Sequence, residues 1–239
     1  MRVFLAGATG AIGRRLVPLL LRAGHDVTGT TRSAEKAREL ERAGVAAALL
    51  DVFDAQATRA AMRAAKPEAV IHQLTDLPRE FDEARITASY AGNARIRSHG
   101  TRNLIAAAAA ASARRFIVQS IAFGYASGGE PHPETDPLNP SDPERAVTIK
   151  GAADMEDQAL SATGLDAIIL RYGFFYGPGT WHENPTHKPG LHIDAAAQAA
   201  CLALTRGAAG IYNIADDDGV VAIAKARAEI GFDPQFRLR

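Results

Sequence analysis

The stretch Leu5-Ala6-Gly7-Ala8-Thr9-Gly10-Ala11-Ile12-Gly13 decides the fold of this chain. A short apolar run ends at Ala6, and leucines follow Gly13 at helical spacing, which predicts a strand, a tight turn and a helix. Gly7 allows the turn, Gly10 allows the backbone to approach a pyrophosphate, and Gly13 allows the helix to pack closely on the strand. The glycines alone also fit a plain strand-to-helix turn.

The sequence after this turn favours a dinucleotide site over a plain turn. Gly24 to Ser33 supplies a second turn and a second strand, at the spacing of a βαβ unit. The helix between the two strands offers N–H groups and a partial positive charge to an anion at its N-terminus. Residues of the turn are therefore predicted to bind the cofactor: Gly7, Thr9, Gly10, Ala11, Ile12 and Gly13.

Apolar, strand-like runs alternate with helical runs along the whole chain. This alternation predicts a mainly parallel sheet covered by helices on both faces, a Rossmann-type doubly wound α/β fold. Strands are expected near residues 2–6, 26–31, 46–50, 69–74, 115–120, 166–171 and 210–215. Helices are expected near residues 11–23, 33–43, 55–65, 82–112, 144–163, 193–206 and 221–230. Proline and glycine concentrate at 128–143 and 177–190, which are predicted to be mobile loops over a site.

The composition is that of a globular chain with balanced charge. With 239 residues, of which 47% are hydrophobic, the chain is expected to form one domain with a small appendage. Its 27 Lys and Arg balance 27 Asp and Glu, so neither nucleic acid nor an anionic membrane is expected as a partner. No basic segment with an apolar stretch precedes the first strand, so a cytoplasmic location is expected. The single Cys201, set among alanines and leucines, is expected to be a small buried residue, and one cysteine excludes a disulfide framework.

The residues that end the second strand bear on the choice between NAD and NADP. A site that prefers NAD usually has an acid there, which accepts a hydrogen bond from the ribose 2′-OH. Here the position is Thr31, followed by Arg32, whose guanidinium can pair with a 2′-phosphate. NADP is therefore predicted over NAD, with an ordinary surface role for Arg32 as the alternative. Asp51 and Val52 are predicted at the adenine edge, and Asp51 also suits the cap of a helix from Ala55 onward.

Ligands of an open α/β sheet lie beyond the carboxyl ends of its strands. Residues near the ends of the fourth, fifth and sixth strands are therefore predicted to contact the cofactor: Leu74, Thr75, Gln119, Ser120, Tyr172, Gly173 and Phe174. The aromatic run Phe174, Phe175 and Tyr176 fits either a wall beside the nicotinamide or the core.

Further motifs follow the first glycines in order along the chain: Asp51-Val52, Gly100–Leu104, Arg115–Ser120, Leu170–Gly179, His192–Asp194, Tyr212–Ile214 and Ala224–Gly231. In number and order they resemble those of the extended or atypical short-chain dehydrogenase/reductases, the NAD(P)-dependent epimerase/dehydratase family. The resemblance implies an oxidoreductase or epimerase/dehydratase that acts on a hydroxyl or carbonyl of a small, sugar-like or nucleotide-linked substrate. It also implies a homodimer paired through the long helices.

The resemblance further implies a catalytic set. In this family a Ser or Thr at the end of the fifth strand orients the substrate, and a Tyr exchanges a proton with the help of a Lys four residues later. Ser120 ends the fifth strand and is the candidate for the first role, although the family serine also aligns with Ile121. If Glu156 matches the acid that follows the pair, Thr148 and Ala152 occupy the Tyr and Lys positions.

The Tyr-x-x-x-Lys pair is absent from the sequence, because none of the five tyrosines has a lysine four residues later. Lys150 is two residues out of phase, about 200° around a helix. One alternative makes Tyr125 the catalytic proton donor, assisted by Thr148 and Lys150. In another, hydride transfer needs only the cofactor and an orienting hydroxyl, and water supplies the proton. The missing pair also permits a catalytically silent NADP-binding protein that senses redox state.

The segments that select the substrate in this family are short here. Only Thr180–Leu191 and Ala215–Ile223 stand where the relatives have longer segments, either because the lobe is naturally minimal or because segments are missing from the sequence. The chain is therefore predicted to comprise a NAD(P)-binding Rossmann domain at 1–178 and a reduced substrate lobe at 179–239, which partly returns to the first domain.

No metal site is predicted. His182 and His187 are five residues apart, and Pro185 breaks any helix between them. These residues are instead predicted to line or cover the cleft: Trp181, His182, Glu183, His187 and His192. The acidic run Asp216–Gly219 lacks the periodic acids of a calcium loop and is predicted to be a solvated turn.

Overall fold

The computed structural model describes residues 1–238, in which nine strands and eight α-helices alternate. The strands are β1 (Arg2–Ala6), β2 (Asp26–Thr31), β3 (Ala46–Leu49), β4 (Ala69–His72), β5 (Arg115–Ile121), β6 (Asp166–Tyr172), β7 (Phe174–Tyr176), β8 (Gly190–His192) and β9 (Gly210–Ile214). The helices are α1 (Ala11–Arg22), α2 (Ala34–Arg42), α3 (Ala55–Ala65), α4 (Glu83–Arg95), α5 (Thr101–Ala110), α6 (Ala146–Leu160), α7 (Ile193–Leu202) and α8 (Ala224–Ile230).

Seven strands form one parallel sheet in the order β3-β2-β1-β4-β5-β6-β9. The chain winds outward from β1 to β3, crosses to β4, and then winds outward in the other direction to β9. In this register Val3 of β1 pairs with Val27 on one side and with Ala69 on the other. The strand order confirms the predicted doubly wound α/β fold, and its topological switch point lies between β1 and β4.

Helices cover both faces of the sheet, so its central strands are apolar on both sides. Phe4 and Leu5 point to opposite faces of β1, and both are fully buried. α1 and α7 pack together on the face of Leu5, whereas α3 and α5 pack together on the face of Phe4. This two-sided burial fixes the register of the strands and therefore the positions of their carboxyl ends.

The helical region predicted at 82–112 is not one continuous helix. A π-helical turn, Ile96–Gly100, separates α4 from α5. A π turn contains an extra residue, and it rotates the side chains that follow relative to the first helix. As a result, Ile96, Arg97 and Gly100 are all buried, although Arg97 carries a charge. The apolar spacing of the sequence did not reveal this break.

β7 and β8 form a small parallel ribbon outside the main sheet, in which Tyr176 pairs with His192. The sequence predicted no strand here, because three residues are too few to show a period of two. After β8, α7 returns to pack on α1, and β9 joins the main sheet beside β6. Most of the segment after residue 178 therefore packs against the sheet domain. No helix within residues 1–238 combines the length and apolar character needed to cross a bilayer.

Candidate active site

A cleft of about 1410 Å³ runs along the carboxyl ends of the strands. Residues from the end of β1, the end of β2, the end of β5 and the loops after β4 and β6 line it. A pocket for one small ligand usually measures about 300–1,000 Å³, so this cleft has room for more than one small molecule. Of the residues predicted to bind the cofactor, all but Gly13 line it: Gly7, Thr9, Gly10, Ala11, Ile12, Thr31, Arg32, Asp51, Val52, Leu74, Thr75, Gln119, Ser120, Tyr172, Gly173 and Phe174.

Backbone geometry forms one end of this cleft, at the turn between β1 and α1. Gly7 has a φ of +94°, and a Cβ atom there would lie 2.7 Å from the carbonyl oxygen of Gln73. Gly13 faces away from the cleft, and a Cβ atom there would lie 2.2 Å from the carbonyl oxygen of Gly7. Both positions therefore require glycine for steric reasons. Gly13 thus lies where the sequence predicted close packing of α1 on β1.

The first turn of α1 has no side-chain cap and no acidic residue. Gly10 is the N-cap residue, and it lines the cleft together with Ala11 and Ile12. The N–H groups of the first helical turn have no partner within the helix, and the helix dipole adds a partial positive charge there. This end of the cleft therefore suits an anionic group such as a pyrophosphate.

Cationic side chains line the cleft next to the end of β2. Arg32 is exposed, and Lys36, which the sequence analysis missed, joins it from the first turns of α2. The Thr31 hydroxyl accepts a hydrogen bond from the Ser33 N–H, so Thr31 shapes the turn. Lys36 follows the N-cap residue Ser33 by three positions, so it lies in the first turn of α2, close to the end of β2.

Asp51 lines the cleft, but it does not cap α3. Its carboxylate accepts a hydrogen bond from the Phe53 N–H at 2.9 Å. The cap of α3 is Asp54, whose side chain accepts from the N–H groups of Gln56 and Ala57. The alternative role considered for Asp51 was therefore wrong by three residues, because the carboxylate directly before the helix takes that role.

Gln73, between β4 and Leu74, contributes an unsatisfied acceptor to the middle of the cleft. Its side-chain nitrogen donates to the Tyr172 hydroxyl at 3.4 Å, but its Oε1 atom is buried without a partner among the described residues. The Tyr172 hydroxyl donates to the carbonyl oxygen of Ala196. A buried carbonyl oxygen without a donor is costly, so a ligand hydroxyl or amide is a favourable partner here.

A buried ion pair forms the other end of the cleft. Ser120, at the end of β5, donates its hydroxyl proton to Glu156 of α6, with 2.5 Å between Oγ and Oε1. Arg171 of β6 binds the same carboxylate through Nε at 3.0 Å and Nη2 at 2.6 Å. Burial disfavours the charged form of Arg171, but the hydrogen bonds and charge of Glu156 outweigh it and raise the arginine pKa. Glu156 thus stays an acceptor, and Ser120 presents lone pairs to the cleft.

Tyr125, the predicted proton donor, is held outside the cleft lining. Its hydroxyl donates to Asn213 Oδ1 at 2.6 Å and accepts from Arg171 Nη1 at 2.9 Å. Its ring stacks on His132, and burial raises the pKa of its phenol. The structure brings Tyr125 and Ser120 onto the same ion pair, through Arg171 and Glu156 respectively, but only Ser120 reaches the cleft.

The first turn of α6 places Thr148 on the cleft and leaves Lys150 exposed. Ala152 is fully buried, one turn further along the helix. The positions implied for the Tyr and Lys of the family therefore hold Thr148 and Ala152, and neither supplies a phenol or an ammonium group. Tyr90 of α4 is the tyrosine besides Tyr172 that lines the cleft within residues 1–238.

Arg97 is a cleft residue that the sequence analysis missed. It lies in the π-helical turn, is 9% exposed, and donates from Nη1 to the backbone carbonyl oxygen of Thr148 at 2.7 Å. Burial lowers the pKa of Arg97 to about 10, and the nearby charge of Glu156 acts in the opposite direction. Arg97 is therefore charged at neutral pH. Nothing in the sequence distinguishes it from the surface arginines around it.

Two loops meet over the cleft. Trp181 donates from its indole nitrogen to the carbonyl oxygen of Pro78 at 3.0 Å, and Phe81 packs against both Trp181 and His182. Trp181, His182 and His187 also line the cleft, whereas Glu183 and His192, which were predicted with them, lie outside its lining. The contact between the loops restricts access of water to the cleft.

Aromatic rings line the cleft near the start of α6. Phe174 stacks on Phe123 with ring centroids 4.1 Å apart, and the Arg145 guanidinium lies 5.8 Å from the Phe174 ring centroid. Phe175 lines the cleft as well and also packs against the core. Tyr176 lies outside the lining and accepts a hydrogen bond from Arg237. The run thus contributes to both wall and core.

The remaining candidate residues lie away from the cleft. Cys201 is half-buried rather than fully buried, and burial raises the pKa of its thiol. Asp218 of the acidic run accepts hydrogen bonds from the N–H groups of Gly190 and Val220, so it fixes the turn. Within residues 1–238, no three His, Cys, Asp or Glu side chains are grouped as metal ligands.

Comparison with proteins of known sequence identifies a reductase as a relative. The chain is 39% identical over 240 aligned residues to a 3-diazoavenalumate denitrifying reductase from Streptomyces sp. The alignment covers 91% of this chain and 77% of the relative.

Solved structures share the fold at low sequence identity. The UDP-glucose 4-epimerase of Thermotoga maritima, solved with UDP-glucose, has a TM-score of 0.79 at 18% identity, covering 99% of this chain and 94% of the epimerase. The UDP-glucose 4-epimerase of Thermus thermophilus, solved with NAD, has a TM-score of 0.75 at 22% identity, covering 100% and 95%. A family model described as NAD(P)H-binding matches residues 7–196, which include the turn after β1, strands β2 to β6 of the main sheet and the ion pair described above. The chain therefore belongs to the NAD(P)H-binding family.

Proposed function

We propose that the chain is an NADPH-dependent reductase that transfers hydride to a small electrophilic substrate without a protein proton donor at the reacting atom. The observation that carries this proposal is the state of Ser120. Its hydroxyl proton is committed to the ion-paired carboxylate of Glu156, and Thr148 and Ala152 stand where a Tyr and Lys would supply a proton. The same cleft has a dinucleotide end, at the turn between β1 and α1, and a reaction end, at Ser120. The reaction end lacks the Tyr and Lys that would supply a proton.

The cleft fits a dinucleotide on grounds independent of sequence motifs. The uncapped first turn of α1 suits a pyrophosphate, and the unsatisfied Oε1 atom of Gln73 suits a donor such as a ribose hydroxyl. When bound, a reduced nicotinamide supplies a hydride. Gln119 and Ser120, near the end of β5, and Phe174, after β6, line the cleft further along, where they would hold the reacting end in place.

The class of substrate is inferred from whether the product of hydride transfer needs a proton. A carbonyl group that accepts a hydride becomes an alkoxide and needs a proton, which a Tyr supplies in relatives with the full catalytic pair. An aryl diazonium group that accepts a hydride at its terminal nitrogen becomes a neutral diazene, which loses dinitrogen and keeps the hydrogen on the ring carbon. Because the relative at 39% identity is named a reductase of a diazo compound, we include this substrate class for the present chain. A carbonyl of a sugar-like or nucleotide-linked molecule is the competing class.

Steady-state turnover distinguishes these classes. Purified protein is mixed with NADPH and, in separate reactions, with an arenediazonium salt, an aromatic aldehyde, an aliphatic ketone and a nucleotide-linked 4-keto sugar. Oxidation of NADPH is followed by absorbance, products are identified by mass, and reactions without protein correct for uncatalysed reduction. We expect catalysed reduction of the diazonium salt with loss of dinitrogen. Equal turnover of the carbonyl compounds contradicts the proton balance, and binding of NADPH without any turnover indicates a redox sensor.

The preference for NADPH over NADH rests on the cations at the end of β2. Arg32 and Lys36 line the cleft, and the described part of the chain places no carboxylate at the end of β2 beside Thr31. We expect NADPH to raise the melting temperature more than NADH does, and Arg32→Ala to reduce NADPH affinity about tenfold, equal to roughly 1.4 kcal/mol. Arg38→Ala, on the exposed side of the adjacent helix α2, is the matched control. An unchanged preference in Arg32→Ala assigns that arginine to the surface.

A further inference from the structure

Arg97 is a buried cation whose charge no carboxylate of its own neutralises. Glu156 is the carboxylate that acts on its charge, but Glu156 already binds Arg171 through two hydrogen bonds and Ser120 through a third. His72 adds no further charge, because burial lowers the pKa of His72 to about 3 and its imidazole is neutral. The buried end of the cleft therefore carries an excess positive charge. Such a charge is costly unless an anion pairs with it.

The donors of Arg97 remain largely available. A guanidinium has five N–H donors, and within residues 1–238 the one hydrogen bond of Arg97 runs from Nη1 to the carbonyl oxygen of Thr148. Its side chain lines the cleft, and its Cδ atom lies 3.6 Å from where a Cβ of Gly151 would be. The stem of the arginine therefore packs beside Gly151 of α6.

The wall beside this cation suits a planar ring. Thr148, bonded to Arg97, lies one helical turn after Arg145, and the Arg145 guanidinium lies 5.8 Å from the Phe174 ring centroid. Phe174 in turn stacks on Phe123 and lies 5.1 Å from the His187 ring. The start of α6 thus connects the buried cation to a stack of flat rings. Arg145 adds a second positive charge at the same wall, and the neighbouring Glu144, which is exposed, also lines the cleft.

We propose that Arg97 binds an anionic oxygen, a carboxylate or a phenolate, of an aromatic substrate that packs beside Phe174. This inference rests on the proposed function, because it names the substrate class of the same cleft. Arg97 is a specificity-determining residue, since it fixes the substrate through a charged group while the hydride acceptor faces Ser120. A guanidinium can bind a carboxylate through two parallel hydrogen bonds, which would also orient the ring.

Binding of matched probes tests the inference without turnover. Isothermal titration measures the affinity of benzoate and of benzamide for the protein saturated with NADP, and 4-nitrophenolate is compared with 4-nitroanisole. The first pair tests a carboxylate, and the second pair tests a phenolate. We expect at least one anion to bind about 10- to 100-fold more tightly than its neutral partner, as for a hydrogen bond between charged groups.

Substitution of Arg97 assigns that preference to its charge. Arg97→Gln keeps a donor for the Thr148 carbonyl and removes the charge, so it should abolish the preference for the anion and leave the neutral probe within about twofold. Arg97→Lys keeps the charge and should retain part of the preference. Arg102→Gln, an exposed arginine five residues later, is the matched control and should behave as wild type.

Two results overturn the inference. One is equal binding of anion and neutral partner by the wild-type protein, which needs no variant and is independent of folding. The other is a preference for the anion that survives in Arg97→Gln. Stabilisation by NADP is measured on every variant, both as a test of folding and to separate the two proposals. Its absence from the wild-type protein contradicts the proposed function, whereas its presence together with equal probe binding contradicts only the role of Arg97.

Discussion

The two ends of the cleft are built from different groups. At the turn between β1 and α1, the ligand-facing groups belong to the backbone, and Gly7 and Gly13 leave space for it. At the end of β5, the site consists of buried side chains, with Ser120 bonded to Glu156 and Glu156 to Arg171. The first end is sensitive to added volume and the second to an unpaired charge. Substitutions that add volume at one end and remove charge at the other should therefore have separable effects.

The largest effect is expected from breaking the ion pair. Glu156→Gln leaves Arg171, which is only 4% exposed, charged and without its carboxylate. We expect the free energy of unfolding to fall by about 3–5 kcal/mol, as for other buried pairs that lose one partner. Urea denaturation measures this change. If the protein remains folded, NADPH binding should be retained, because the dinucleotide turn does not use this pair.

A double variant separates loss of the pair from loss of packing. In Glu156→Gln with Arg171→Met both charges of the pair are removed, so Arg171 no longer contributes an unpaired buried charge and the double variant should be more stable than Glu156→Gln alone. If instead the two substitutions add, the cost of each is packing and the ion pair contributes little. Either result applies to the reaction end of the cleft and leaves the dinucleotide end unchanged.

A smaller effect is expected from added volume at the dinucleotide end. In Gly13→Ala the new methyl group would lie 2.2 Å from the Gly7 carbonyl oxygen, so the turn must move. We expect a loss of about 1–3 kcal/mol in unfolding free energy and loss of stabilisation by NADPH. Gly129→Ala is the control, because a Cβ there meets nothing within 4 Å. Retention of NADPH binding in Gly13→Ala would show that the turn tolerates this movement.

The contrast between the two ends also explains what could be predicted from the sequence. A backbone site restricts residue types within one short segment, so the spacing of Gly7, Gly10 and Gly13 indicated the turn and the sheet that follows it. The parallel strands were predicted within one or two residues at most ends, because two-sided burial makes them continuous apolar runs. The ribbon of β7 and β8 was not predicted, since three-residue strands have no readable period.

The reaction end could be predicted only in part. Ser120 was found from its position at a strand end, but its bond to Glu156 joins residues 36 positions apart, and Arg171 adds a third element. Arg97 was missed because a π-helical turn, which has no sequence signature here, turns it inward. A buried charge network depends on tertiary contacts between several elements. The spacing of residues in the sequence can therefore indicate candidate members of such a network, but it does not show which residues they bind.

A fall in pH should destabilise the folded protein through His72, which lies near the buried charge of Arg97. His72 ends β4, and its Nδ1 accepts from the Leu74 N–H while Nε2 faces the Thr101 hydroxyl at 3.2 Å. Burial, and then the charge of Arg97, lower its folded-state pKa from 6.5 to about 3. Below pH 6.5 the unfolded chain therefore binds a proton that the folded chain does not bind. Stability from this group is complete above pH 6.5 and is lost as the pH falls toward 3.

The expected slope is about 1.4 kcal/mol of unfolding free energy per pH unit for one proton. Urea denaturation of wild type and His72→Gln between pH 6.5 and about pH 4.5 measures it, above the ordinary pKa range of carboxylates. As the pH falls, the unfolding free energy of the variant should decrease less steeply than that of wild type. The difference in slope should be at most that of one proton. His25 and His192, whose pKa values are also lowered, remain in both proteins and cancel in the difference. Equal slopes would mean that His72 is protonated in the folded state.

The smallest effect on stability is expected from substitution of Tyr125. The same substitution tests whether Tyr125 donates a proton in the reaction or the reaction needs no protein donor. The structure bonds its hydroxyl to Asn213 and Arg171, outside the cleft lining. Tyr125→Phe should therefore cost about 1 kcal/mol of unfolding free energy and leave kcat within about threefold on the substrate that supports turnover. A proton donor in the reaction would instead lose about 10²- to 10⁴-fold in kcat. Because the two expectations differ by orders of magnitude in rate and hardly in stability, kcat alone decides whether the reaction end works without its own acid.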